Sequence, residues 1–64
     1  MKYKMTHFIK DAAMWRKVNS TIGETTPESF IAFTSMMGFT KTNHGTYWKR
    51  TACDEGIEIA IVNE

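Results

Sequence analysis

Apolar and polar residues alternate with a period of two over Ile57 to Val62, and Thr46 to Ala52 is rich in aromatic and β-branched residues. Both stretches predict strands. Between them Cys53-Asp54-Glu55-Gly56 is a polar turn closed by a glycine, so the C-terminal third predicts a β-hairpin. With a four-residue turn, Ala52 pairs with Ile57, Arg50 with Ile59 and Trp48 with Ile61. That register collects Trp48, Ala52, Ile57, Ile59 and Ile61 on one face. A three-residue turn puts Trp48 opposite Val62 instead; the first register is preferred because it gathers the apolar set. Phe39 to Thr42 predicts a short strand, and Asn43-His44-Gly45 a tight turn. Together these make a three-stranded antiparallel meander with its last strand at the edge.

Upstream the period changes. Met5, Phe8, Ile9, Ala12 and Trp15 recur at i, i+3, i+4, i+7 and i+10, with Lys10, Arg16 and Lys17 largely opposite. This spacing predicts a helix over His7 to Val18 with Thr6 as its cap. A strand over Lys2 to Ile9 competes, since the first residues also tolerate alternation. Asn19 to Thr26 is rich in turn and cap formers and predicts a loop anchored by Ile22. In Thr26-Pro27-Glu28-Ser29 a capping threonine, a proline suited to the first helical position and an acid for the first turn follow one another. They predict a helix over Pro27 to Met37, carrying Phe30, Phe33, Thr34 and Met37 on one stripe with Ile31 beside it. Gly38 supplies the left-handed residue after it, and Phe39 folds back onto the last turn. The expected fold is α+β: two helices packed on one face of a three-stranded antiparallel β-meander, in the order α-α-β-β-β, as a single domain over 1–64.

Composition narrows the supports such a fold can use. A chain of 64 residues buries a small core. One cysteine excludes an internal disulfide, and one cysteine with two spaced histidines makes a poor zinc set. No metal or cofactor is expected, and self-association, as a homodimer, is the expected supplement. There is neither a secretory h-region nor an apolar run long enough to span a bilayer, which points to the cytoplasm and away from membranes. The net charge of +1 carries no strong bias toward nucleic acid. Its distribution is uneven. Residues 1–17 hold Lys2, Lys4, Lys10, Arg16 and Lys17 against Asp11, while residues 53–64 hold Asp54, Glu55, Glu58 and Glu64 with no base. Such opposed ends favour oriented contacts or head-to-tail attraction between copies.

The titratable candidates are few. His44 sits in a tight turn with no acid close in sequence to orient it as a general base, and reads as a turn residue. His7 reads as a half-buried helix residue. Cys53 stands beside Asp54 and Glu55, which oppose thiolate formation, and reads as an inert turn residue. No catalysis is expected. Tyr47-Trp48-Lys49-Arg50 interleaves aromatics and bases as nucleic-acid platforms do. Alternation divides it, and with Trp48 in the core the exposed side offers Tyr47, Lys49 and Thr51. Phe30, Ile31, Phe33, Met36 and Met37 leave the Pro27 helix apolar over more than one face, which suits an adaptable protein contact.

In PESFIAFTSMMGFTKTNHGTYWKR a helix ends in Gly38-Phe39 and a strand leads to Gly45-Thr46. This resembles the small HicA-type toxins, an RNA-cleaving branch of the double-stranded-RNA-binding-like folds. Tyr47 stands where that family's motif has its histidine. The resemblance therefore implies the order helix, strand, strand, strand and no activity.

The functional expectation is a small non-enzymatic module that masks a surface of a larger protein, in the manner of phage inhibitors of host enzymes or defence systems. Phe33, Met36, Met37, Tyr47, Lys49 and Glu58 would make its contacts. The alternative is a nucleic-acid-binding module acting on RNA or DNA through Lys41, Tyr47, Lys49 and Arg50.

Overall fold

The computed structural model describes residues 1–62. In chain order its elements are β1 (Lys2–Asp11), β2 (Met14–Glu24), α1 (Pro27–Met36), β3 (Thr40–Lys41), β4 (Tyr47–Ala52) and β5 (Glu55–Val62). The strands form one antiparallel sheet in the order β2-β1-β5-β4-β3. Helix α1 lies across one face of it. The expected two helices on a three-stranded meander are thus replaced by one helix on a five-stranded sheet, and the domain is mostly β.

The helix expected over His7 to Val18 does not form. Its residues belong to β1 and β2, a hairpin turned by Ala12 and Ala13. Strand β1 is flanked by β2 and β5 and carries apolar residues on both faces: Met5 and Ile9 toward α1, Phe8 away from it. A strand half-covered on both sides loses clean alternation, and its apolar spacing then imitates a helical stripe. The turn holds neither Gly nor Asn, and Ala12 takes a φ of 59° that favours those residues. The loop expected over Asn19 to Thr26 is largely strand as well. Asn19 to Glu24 continues β2, leaving Thr25 and Thr26 as the connection. Val18 is the extra residue where the register shifts, between the pairs His7↔Asn19 and Phe8↔Lys17.

Helix α1 is the element that local signals specify most completely. Thr26 accepts a hydrogen bond at its Oγ1 from the Ser29 N–H (3.2 Å), and Pro27 opens the first turn. The helix ends one residue before the expected limit, with Met37 as its cap. Gly38 follows at φ 79°, its N–H donating to the Ser35 carbonyl (3.3 Å) while the Phe39 N–H donates to that of Thr34 (2.9 Å). This is a Schellman closure, and Phe39 packs on Phe33 at 5.8 Å as such closures favour.

The register of the last hairpin differs from the expected one. Tyr47 pairs with Ile59, Trp48 with Glu58, Lys49 with Ile57 and Arg50 with Gly56. The turn is Cys53-Asp54 alone, Thr51 is bulged, and Glu55 and Gly56 join β5. Trp48 therefore lies on the face opposite Ile57, Ile59 and Ile61. The observed pairing places Tyr47 beneath Phe30 and gives the Trp48 indole a seat. A Cβ on Gly56 would stand 2.2 Å from its Cη2, so only a glycine leaves room for the ring.

The core under α1 is small. Phe30 and Ile59 are the buried apolar side chains among the described residues. Phe30 meets Tyr47 edge-on at 5.1 Å and Tyr3 at 6.4 Å. Thr34, also buried, satisfies its hydroxyl on the Phe30 and Ile31 carbonyls (3.0 and 3.2 Å). Strand β5 is central, between β1 and β4, and not the expected edge. The basic start and the acidic end of the chain are consequently neighbours within one molecule, with His7 Nε2 3.6 Å from Glu55 Oε1. Glu64, part of the expected acidic end, lies outside the described residues. Among the described residues no helix is long and apolar enough to cross a membrane.

Candidate functional site

Strand alternation from the observed register sorts the side chains into two faces. Toward α1 point Tyr3, Met5, His7 and Ile9 of β1, Tyr47 and Lys49 of β4, and Ile57, Ile59 and Ile61 of β5. Away from it point Lys2, Lys4, Thr6, Phe8 and Lys10 of β1, with Trp15, Lys17, Ser20, Ile22 and Glu24 of β2. Trp48, Arg50 and Glu58 complete that second, open face.

Three aromatic rings gather on the open face from three strands. Trp48 stands edge-on to Trp15 at 5.1 Å and to Phe8 at 6.0 Å, and the Arg50 guanidinium lies over the Trp15 ring at 5.4 Å. Arg50 is held in place by donating from Nη2 to the Cys53 carbonyl (2.6 Å). All three rings remain half-exposed, because no second layer covers them. Phe8, Trp15, Trp48 and Glu58 line a shallow hollow of about 290 Å³. Glu58 Oε2 accepts a long hydrogen bond from the Thr46 hydroxyl (3.5 Å), which itself meets the Thr42 hydroxyl at 2.8 Å. Thr6, buried beside Glu58 in the ladder, bonds Ser20 at 3.1 Å. The face carries five bases, Lys2, Lys4, Lys10, Lys17 and Arg50, against Glu24 and Glu58. Rings that offer π-surface and cations around them suit flat, anionic ligands.

The residues expected to bind nucleic acid are divided by the fold. Arg50 is on the open face. Tyr47 is packed under α1 against Phe30, and Lys49 and Lys41 point to the helix side. The expectation that Trp48 is core and Tyr47 exposed does not hold: Tyr47 is on the helix side, Trp48 on the open face, and both are half-buried. The set expected for protein contact divides too. Phe33, Met36 and Met37 are exposed on or beside α1, and Tyr47 and Lys49 share that face, but Glu58 is on the other. Phe33 borders a groove of about 280 Å³ between α1 and the sheet, floored by Tyr3, Met5 and Ile59.

Phe8 and Trp15 escape sequence reasoning, because the helical reading of His7 to Val18 gives them a core stripe. The strand reading of Lys2 to Ile9 holds the missing signal: it alternates Lys2, Lys4, Thr6 and Phe8 on one side. His44 is exposed in its turn, its N–H bonded to the Thr42 hydroxyl (3.3 Å), and Cys53 is exposed at the β4–β5 turn. Among the described residues no three His, Cys, Asp or Glu side chains converge to hold a metal ion. No protein-family model, no curated protein and no solved structure matches the chain.

Proposed function

We propose that the chain is a non-catalytic module that binds single-stranded nucleic acid on the open face of its sheet. The observation that carries this reading is the Phe8, Trp15 and Trp48 cluster framed by Lys4, Lys10, Lys17 and Arg50. Stacking on exposed rings contributes about 1–3 kcal/mol per base, and flanking cations hold the backbone phosphates. An unwound strand is the fitting form, because its bases are free to leave their neighbours and lie on the rings. Titration of a fluorescent nine-nucleotide oligo-dT at 50 and 200 mM salt tests it. Binding is expected to weaken steeply with salt and to quench tryptophan emission. Trp15→Ala is expected to weaken it about ten-fold or more while the fold persists. Absence of binding at the lower salt overturns the reading.

A separate observation supports protein docking on the opposite side. Ile31 and Met36 on α1 are 62% and 84% exposed, an unusual display of large apolar side chains for so short a helix. Under this second reading α1 and the groove at Phe33 meet a larger protein or a second copy. Sedimentation equilibrium around micromolar concentration separates the two occupants: a dimer mass that Met36→Lys abolishes identifies the copy. A constant monomer mass leaves a heterologous protein, to be sought by affinity capture and compared with the same variant.

A further inference from the structure

The hollow at the centre of the open face has a polar member that stacking does not require. Phe8, Trp15 and Trp48 supply ring surface, and Glu58 is the fourth side chain that lines it, its carboxylate beside the Thr46 hydroxyl. An ionised carboxylate only accepts hydrogen bonds, and does so at two oxygens spaced to take two parallel donors. One oxygen, Oε2, has the Thr46 hydroxyl at 3.5 Å, a contact long enough to leave further acceptor capacity on both.

Resting on the nucleic-acid reading above, we infer that this hollow is a base-selective subsite that prefers guanine through Glu58. Guanine presents N1–H and N2–H side by side on its Watson–Crick edge, two donors that a single carboxylate engages together. Adenine and cytosine each offer one exocyclic amino donor beside a ring-nitrogen acceptor. Thymine and uracil offer one N–H flanked by two carbonyls, which a carboxylate repels. The hollow, about 290 Å³, is large enough to admit a purine ring system. Charge distinguishes this occupant from the other ligand that an aromatic box with a carboxylate suits, a methylated ammonium group. Five bases against two acids on the same face oppose a cation and attract a phosphate-linked base.

The test measures affinity for four nine-nucleotide strands of oligo-dT that differ only in a central G, A, C or T, which avoids the self-assembly of G-runs. The central G is expected to bind about ten-fold tighter than the central T, with A and C between. Glu58→Gln replaces one acceptor by a donor. It is expected to abolish the preference, the central G then binding no tighter than the central T. Equal affinity of the wild-type protein for all four strands overturns the subsite and leaves the platform standing. Failure to bind any strand overturns both. Quenching of tryptophan by a trimethyl-lysine peptide, with no preference among the strands, assigns the hollow to a cationic ligand and also overturns the inference. Because the base series is read on the unaltered protein, the outcome does not depend on the variant folding.

Discussion

The two faces of the sheet solve one packing problem differently. Each lays an aromatic ring across a glycine of the neighbouring strand. Under α1, a Cβ on Gly23 would stand 2.3 Å from the Tyr3 ring, and on the open face a Cβ on Gly56 would meet Trp48 at 2.2 Å. Tyr3 is then roofed by α1, where Phe30 covers it. Trp48 is roofed by nothing and is joined instead by Trp15, Phe8 and Arg50. The same device therefore makes a core on one side and a half-exposed cluster on the other. Stability is expected to reside mainly in the first and binding in the second.

Five substitutions test that division, from the largest effect downward. Phe30→Ala removes the helix-side keystone and is expected to cost about 3 kcal/mol or more. In a domain this small that abolishes cooperative melting, so a sharp thermal transition in the variant would show that α1 is not what holds the sheet. Gly56→Ala and Gly23→Ala form a matched pair. Each is expected to cost about 1–2 kcal/mol as the ring is pushed from its seat. Only Gly56→Ala should alter the near-ultraviolet tryptophan dichroism and weaken oligonucleotide binding. If both variants lose binding equally, the faces are not separable. Gly38→Val forces a β-branched residue to a φ of 79° and is expected to lower stability by about 1 kcal/mol, seen as a lower Tm with binding retained. Ala12→Gly is expected to act the other way. It relieves a left-handed alanine at the β1–β2 turn and should gain about 0.5 kcal/mol in chemical denaturation.

What the sequence discloses follows the same division. Helix α1 was legible because its signals are local: a cap, a proline and a closing glycine act within a few residues of one another. The β4–β5 hairpin was legible as two strands, but its register was not. Assigning Trp48 to the apolar side is reasonable when only Ile57, Ile59 and Ile61 are in view. Its seat on Gly56 depends on the shifted register of the hairpin, and its partners Phe8 and Trp15 belong to strands at the other end of the chain. The β1–β2 hairpin reads as a helix because its turn, Ala12-Ala13, lacks turn chemistry and its apolar residues serve two faces. The candidate site suffers most, since every aromatic on it depends on one of these two hairpins.

The position of β5 bears on how the domain assembles. The first and last strands are partners along almost their whole length, from Lys2↔Val62 to Ile9↔Glu55. Joining them closes nearly the entire chain into a loop, an entropic cost met before the contacts that offset it form. Until then β1–β2 is a hairpin with a bare inner edge, and α1 lacks Ile59 beneath Phe30. The domain is therefore expected to fold late and all at once, with slow, single-exponential kinetics for its size. Chains stopped before Gly56 should present two unpaired strand edges and aggregate instead of folding in part.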